Sequence, residues 1–243
     1  MRGMEKIMDG VYRLGTRWVN FYLVVEGDGL TLIDTGLPKY VPQFEDALRE
    51  LGRATSNLRA IVLTHTHIDH IGAADKFHEL NDVPVFVHSG ESAIATGDAK
   101  PGTPSGALGS LWRPSMLSFA AHFLTNGGAK KVTVPSVQSY EHDEVLDVPG
   151  KPRVVFCPGH SPAHSALLLE DRGVLFCGDA MGTLAVNTGE TGAMVHPMNE
   201  DRARAIEALD ALEGISAEMV LPGHGEPYRG TPAEAVSAAR ARL

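Results

Sequence analysis

The sequence predicts a mixed α/β protein in which β-sheets pack against one another and helices cover them from outside. Three observations carry this reading. The first third strings together β-branched apolar runs separated by Gly- and Asp-containing turns, a stretch near residue 41 changes to a 3.6-residue apolar period, and the second half repeats this order of short apolar runs and helical periods.

Taken along the chain, "GVYRLG", "VNFYLVVEGDG" and "LTLIDTG" read as consecutive strands in hairpins. "VPQFEDALRELG" begins with Pro and ends on Gly, the punctuation of a surface helix. "RAIVLTH" is a short buried strand, "IGAADKFHEL" is helical and "VPVFVH" is the next strand. In the second half, "RVVFCPGH" and "GVLFCGDA" are strands, "EDRARAIEALDAL" is a helix, "AEMVLPGHG" is a final strand and loop, and "TPAEAVSAARARL" opens with a Thr-Pro helix start. No tandem period stands out. A single domain over 1–243 is expected, because 243 residues with 43% hydrophobic content can enclose one core.

Residues 97–140 are the least regular. After the Gly- and Pro-rich "GDAKPGTPSG", the stretch "ALGSLWRPSMLSFAAHFL" sets Leu108, Leu111, Trp112, Met116, Phe119 and Phe123 on one helical face, with Pro114 bending or restarting the helix. Two readings stay open: a helix docked on the core, or an insertion that acts as a lid or dimer interface. On the second, Trp112, Met116 and Phe119 are candidate pocket residues.

The formal charge of −9 argues against a protein built to neutralise phosphate backbones, so no nucleic-acid partner is expected. No apolar run approaches a membrane span or the core of a signal peptide, which makes a cytoplasmic location the expectation. Cys157 and Cys177 end apolar runs and read as buried, reduced thiols.

Chemistry is concentrated in "THTHIDHIG", where His65, His67, Asp69 and His70 offer four donors within six positions of a chain that has 11 histidines. Such donors on fixed backbone are what a metal site needs. Three further candidates share one context, an apolar run that stops at Gly and then the donor: "VVFCPGH" at His160, "VLFCGD" at Asp179 and "MVLPGH" at His224. Glycine lets the backbone turn sharply there and approach a neighbour.

The ordered set His65, His67, Asp69, His70, His160, Asp179 and His224, with Asp34 in "LIDTG" upstream, resembles the metallo-β-lactamase fold superfamily from about residue 10 to about residue 228. The resemblance implies a four-layer αββα sandwich of two mixed β-sheets with the active site at one edge. It implies two divalent metal ions, with zinc expected and iron or manganese as alternatives. His65, His67 and His160 would hold one ion, Asp69, His70 and His224 the other, Asp179 would bridge them, and Asp34 would fix the ligand loop by hydrogen bonds. A hydroxide shared by the metals would attack an acyl or phosphoryl centre, with Asp69 orienting it or relaying a proton.

Departures from subfamily patterns narrow the expectation. Asp179 stands where the cysteine-bearing β-lactamases carry a thiolate, and His67 stands where flavodiiron proteins have Glu. Glyoxalase II carries an extra helical domain for which there is no room after His224, and RNase Z-type nucleases need a basic RNA-gripping extension. The expected activity is hydrolysis of a small ester, thioester or lactone, in the lactonase and glyoxalase-like branch. The alternatives are a mononuclear iron enzyme similar to persulfide dioxygenases, or a phosphodiesterase or β-lactam hydrolase of the same fold. The partner is a small-molecule substrate, with a homodimer through 97–140 as a further expectation.

The remaining histidines have plainer readings. His164 is expected to hydrogen-bond near the ligands rather than bind metal, and His196, in "MVHPMN", to contact substrate. His78, His88, His122 and His142 read as surface or packing residues. Tyr22, Tyr140 and Tyr228 are candidate phenolic donors, Tyr228 singled out by its place just after His224.

Overall fold

Alternation along the first strands sorts side chains onto two faces, and both faces are covered. In a computed structural model, which describes residues 3–103, 105 and 112–243, β1 (Glu5–Met8), β2 (Val11–Gly15), β3 (Asn20–Glu26), β4 (Gly29–Ile33), β5 (Leu58–Val62), β6 (Val85–His88) and β7 (Gln138–Tyr140) form one sheet in sequence order. Its hairpin-linked strands β1 to β4 pair antiparallel, and β4 to β7 pair parallel.

The second half supplies β8 (Arg153–Phe156), β9 (Ser165–Leu169), β10 (Val174–Gly178), β11 (Met181–Leu184), β12 (Thr191–Val195), β13 (Met219–Pro222) and β14 (Tyr228–Arg229). Five of them make a sheet in the order β14-β13-β10-β9-β8, with β10 and β13 parallel, while β11 and β12 form a separate hairpin. Strand β9, "SALLL", is buried along its whole length, so it shows none of the alternation that reveals a strand in sequence.

Three apolar layers hold the sandwich. Between the sheets lie Tyr22, Val24, Ile33 and Val62 from one and Val154, Leu167, Val174, Phe176 and Leu221 from the other. Phe21, Leu23, Leu32 and Ile61, on the opposite face of the first sheet, pack with Phe44, Ala47 and Leu48 of α1 (Val41–Glu50) and Phe77. Leu168, Leu175, Cys177 and Val220 pack with Leu209, Leu212, Ala235 and Val236 from the C-terminal helices. Each buried Leu, Ile or Phe contributes on the order of 2 kcal/mol. The architecture is the αββα sandwich of two mixed sheets.

Two expected helices are interrupted. "IGAADKFHEL" gives α2 (Ile68–Ile71) and α3 (Ala74–Asn81), which part at Gly72, where the loop after β4 passes so close that a Cβ would stand 2.6 Å from the Gly36 carbonyl oxygen. After the intervening α4 (Ser92–Thr96) and α5 (Pro114–Thr125), the stretch that follows residue 200 gives α6 (Arg202–Glu207) and α7 (Leu209–Glu213), and α8 (Pro232–Arg240) closes the chain. The Thr-Pro start of α8 is a capping box with Glu234.

Within 97–140, helix α5 starts at Pro114, where a missing N–H costs nothing. Met116 and Phe119 are buried in the core, and Phe123 packs against it. Leu108 and Leu111 lie outside the described residues. No helix among the described residues is long and apolar enough to cross a membrane.

Candidate metal centre

Five strands deliver the site: β4 ends before Asp34, β5 before the His-rich loop, β8 before His160, β10 before Asp179 and β13 before His224. The donors therefore ride on loops anchored by buried sheet, which fixes their geometry. At Gly178, with φ +49°, a Cβ would lie 2.6 Å from His164 Nε2. At Gly223 it would lie 2.2 Å from Asp179 Oδ1, so only glycine brings His224 this close to its neighbour.

One group of donors is His65 Nε2, His67 Nδ1 and His160 Nε2, in which His67 Nδ1 stands 3.1 Å from His65 and 2.9 Å from His160. A second group is Asp69, His70 and His224. Asp179 lies between them: its Oδ2 is 3.0 Å from His224 Nε2 and 3.4 Å from His160 Nε2, and its Oδ1 is 3.5 Å from His70 Nε2.

Hydrogen bonds on the far side of three rings point their lone pairs inward. His70 Nδ1 donates to Asp34 Oδ2 at 2.8 Å, His65 Nδ1 donates to Thr64 Oγ1 at 3.0 Å, and His224 Nδ1 donates to the Trp18 carbonyl. Asp34 also accepts from Thr64 N at 2.8 Å and Thr64 Oγ1 at 2.9 Å, so one carboxylate ties β4 to both ends of the His-rich loop. Its backbone has φ 59°, a left-handed turn that Asp tolerates.

These residues fit a divalent metal centre. Among the described residues, buried His70 Nε2, Asp179 Oδ1 and His196 Nε2 have no hydrogen-bond partner, and buried polar atoms of this kind are costly unless a ligand satisfies them.

Electrostatics divide the site. Burial, reinforced by His70, His67 and His160, pushes His65 well below the ordinary imidazole range, and burial likewise pushes His160 down against the pull of Asp179. Burial takes His164 down to about 3 and His196 to about 4. Burial opposes charge on His70 and His224 too, but Asp179, joined by Asp34 at His70, raises both. Burial opposes the charge on Asp179, yet His224, His196, His70 and His160 hold it well below the carboxylate range.

For the metal-free chain, lowered histidines lose stability as pH falls below their unfolded value of 6.5, because the unfolded chain then binds the extra protons. Raised histidines contribute stability that is complete below 6.5 and lost as pH rises through their folded value. Melting of the EDTA-treated chain between pH 5 and 8 should therefore show a maximum near 6.5, falling on both sides. A flat profile would count against this balance.

His164 does not join the donors. Its Nε2 accepts from the Asp179 backbone N–H at 3.0 Å and its Nδ1 lies 3.3 Å from Cys157 Sγ, so it positions Asp179 from below. Both cysteines are free and buried, and burial pushes the Cys157 thiol up to about 12. His196 lies closer to the donors than a peripheral loop contact would, 3.6 Å from Asp179 Oδ2.

Glu91 is a residue that the sequence reading missed. It is fully buried, its Oε2 accepts from Thr66 N at 2.8 Å and from Thr66 Oγ1, and its Oε1 accepts from Ser161 Oγ and from Ala163 N at 3.3 Å. It joins the His65–His67 loop to the His160 loop. Nothing in "HSGES" distinguishes it from a surface turn acid, because its partners come from distant segments.

A cavity of about 420 Å³ opens over the donors, within the usual range for small-molecule sites. Met116 and Phe119 line it, as do His196, Asp69 and Asp179. Trp112 does not: it precedes α5, is 74% exposed and stacks with Arg113, so the single helical face expected from its spacing stops at Pro114. Tyr228 is not there either. It pairs through β14 with β13 and faces a second cavity with Arg17 and Thr183. Tyr22 and Tyr140 spend their hydroxyls on the Pro222 and Leu63 carbonyls, each at 2.6 Å. His122 bonds the Tyr40 hydroxyl at 2.6 Å and His78 the Val83 carbonyl at 2.8 Å, the packing roles expected of them.

The sequence model of the metallo-beta-lactamase superfamily matches residues 14–224. The chain belongs to this superfamily. Within the metallo-beta-lactamase superfamily it is 30% identical over 235 residues to the probable metallo-hydrolase YflN of Bacillus subtilis, covering 91% of this chain and 86% of that one. It is 26% identical to the probable metallo-hydrolase YybB of the same organism, over 86% of this chain and 81% of that one. Among solved structures, a metallo-beta-lactamase family protein of Thermus thermophilus superposes with a TM-score of 0.66 at 25% identity, over 98% of this chain and 81% of that one. A metallo-beta-lactamase of Cronobacter sakazakii, at 18% identity, shares the fold with a TM-score of 0.71 over 100% and 95%.

Proposed function

We propose that the chain is a dinuclear metal-dependent hydrolase of a small ester, thioester or lactone. The observation that carries this reading is the convergence of two three-residue donor groups on Asp179 beneath an apolar cavity. Membership of the superfamily and the relatives described as probable metallo-hydrolases support hydrolysis and divalent metal binding. His65, His67 and His160 would hold one ion and Asp69, His70 and His224 the other, with Asp179 between them. Zinc is the ion we expect, since a set of imidazoles and carboxylates suits it. Bound there, the ions supply a water acidified to near neutrality and polarise the scissile carbonyl.

The chain's own residues do the rest. Asp69 lines the cavity with a carboxylate oxygen 3.6 Å from His224 Nε2, well placed to orient a water and take its proton. His196 presents Nε2 to the cavity, where it contacts the substrate oxygen. Met116, Phe119 and Ile71 give the acyl part an apolar wall and keep bulk water from it.

The test is metal analysis on the purified chain together with a panel of lactones, thioesters, phosphodiesters and β-lactams. About two zinc-like ions per chain and turnover of the acyl substrates are expected. One iron per chain, with oxygen consumed on a persulfide, would overturn this reading.

A further inference from the structure

We infer that the substrate carries an anionic group on its non-reacting part, held by Lys130 and Lys131. This deepens the hydrolase reading above and rests on it. Both lysines line the cavity over the metal donors, and they are its only lysine or arginine lining residues among those described. Its only carboxylates among the described residues are Asp69 and Asp179, which are committed to the donor groups. The rest of the wall is largely apolar.

Some basic side chains on the described surface pair with carboxylates, as Lys6 with Asp9, Lys76 with Glu79, and Arg153 and Arg240 with two each, while others such as Lys39 do not; Lys130 and Lys131 are set apart by their place at the cavity wall. Neither Lys130 nor Lys131 makes an ion pair among the described residues, in a chain whose net charge is −9. Two adjacent uncompensated cations at the wall of an apolar cavity, in an acidic protein, leave the counter-ion to the ligand. Their backbone is pinned, since Lys130 N bonds the Gly127 carbonyl at 2.9 Å and Val134 N bonds the Ala95 carbonyl at 3.0 Å. Lys131 Nζ lies against Gly97, 3.4 Å from where a Cβ there would stand.

The ligand chemistry that matches is an acyl compound with an apolar segment between the scissile carbonyl and a terminal carboxylate or phosphate. The lysines would bind the anion, the apolar wall the segment, and the donor groups the reacting end. Steering of this kind weakens with salt, because the lysines are solvent-exposed.

The test compares p-nitrophenyl octanoate with the mono-p-nitrophenyl ester of suberate, which differs by a terminal carboxylate. At low salt the metal-loaded chain is expected to favour the suberate ester by about fivefold in kcat/KM, the effect of two exposed ion pairs. The joint Lys130→Ala and Lys131→Ala variant should bring that ratio below about twofold, Lys→Arg at both should keep it, and Lys→Glu should invert it. A phosphono-terminated ester distinguishes phosphate from carboxylate by which is preferred. Binding of suberate against octanoate, by calorimetry, reads the lysines without turnover. Equal rates for the two esters with equal binding of the two acids, or a ratio that survives in the double alanine variant, would overturn the inference. Failure of both esters to react, with suberate still bound more tightly in a lysine-dependent way, would overturn the hydrolase reading and leave the anion site standing.

Discussion

Replacing Asp179 with Ala is expected to lower turnover more than a hundredfold and to leave less than about one metal ion per chain, since even residues that merely support ligands change affinity or activity by about 10–100-fold. Asp179 is the carboxylate shared by both donor groups, within 3.6 Å of His160, His196 and His224 on one oxygen and 3.5 Å from His70 on the other. No other carboxylate among the described residues joins both groups. The metal-free variant offers a second readout. Without Asp179, His70 and His224 lose the largest charge that raises them and keep only Asp34 and Asp69 respectively, so both are raised less. The stability they lose as pH rises above 6.5 then shrinks, and the pH of greatest stability should move upward. Metal content by plasma emission and melting curves from pH 5 to 8 check both parts. A variant that still holds two ions would remove Asp179 from the bridging role.

Glu91→Ala should have the second-largest effect, through positioning rather than contact with substrate. The substitution strips the acceptor from Thr66 N, Thr66 Oγ1, Ser161 Oγ and Ala163 N, in a place where Thr66 is buried and water has little access. At roughly 1–3 kcal/mol for each buried donor left unsatisfied, a loss of about 3 kcal/mol in stability is expected. The two loops it joins carry His65, His67 and His160, so metal affinity should fall by about tenfold or more. Glu91→Gln keeps the shape but offers a single acceptor oxygen, and should recover packing while recovering metal affinity only in part. Competition for metal with a chromophoric chelator separates these outcomes from simple loss of stability. Unchanged affinity in the alanine variant would make Glu91 a purely structural residue.

Those two residues show what a sequence discloses and what it hides. Asp179 was legible because it repeats a local pattern, an apolar strand, a glycine and a donor, shared with His160 and His224. The His-rich loop was legible for its density, and the covering helices for their period. Glu91 was invisible because its partners come from segments 25 and 70 residues away, and no local period marks such a contact. Strand β9 escaped for a related reason, since burial on both faces erases alternation. Trp112 misled because helical spacing was extended through Pro114, where the helix begins. His196 lay between these extremes: its loop was suspect, but its distance from Asp179 depends on how the β11–β12 hairpin folds back over the donors.

The cavity has two authors. Its floor is written by five strand ends that the core of both sheets holds in place, while much of its roof comes from residues 97–133, a stretch that contributes no strand to either sheet among the described residues. A mutation in the floor puts metal and fold at risk together. A mutation at an exposed roof position such as Lys130 or Lys131 alters what is admitted, whereas Met116 and Phe119 are also part of the core. Selectivity in this protein can thus be changed at the exposed part of the roof without touching the residues that hold the reacting centre.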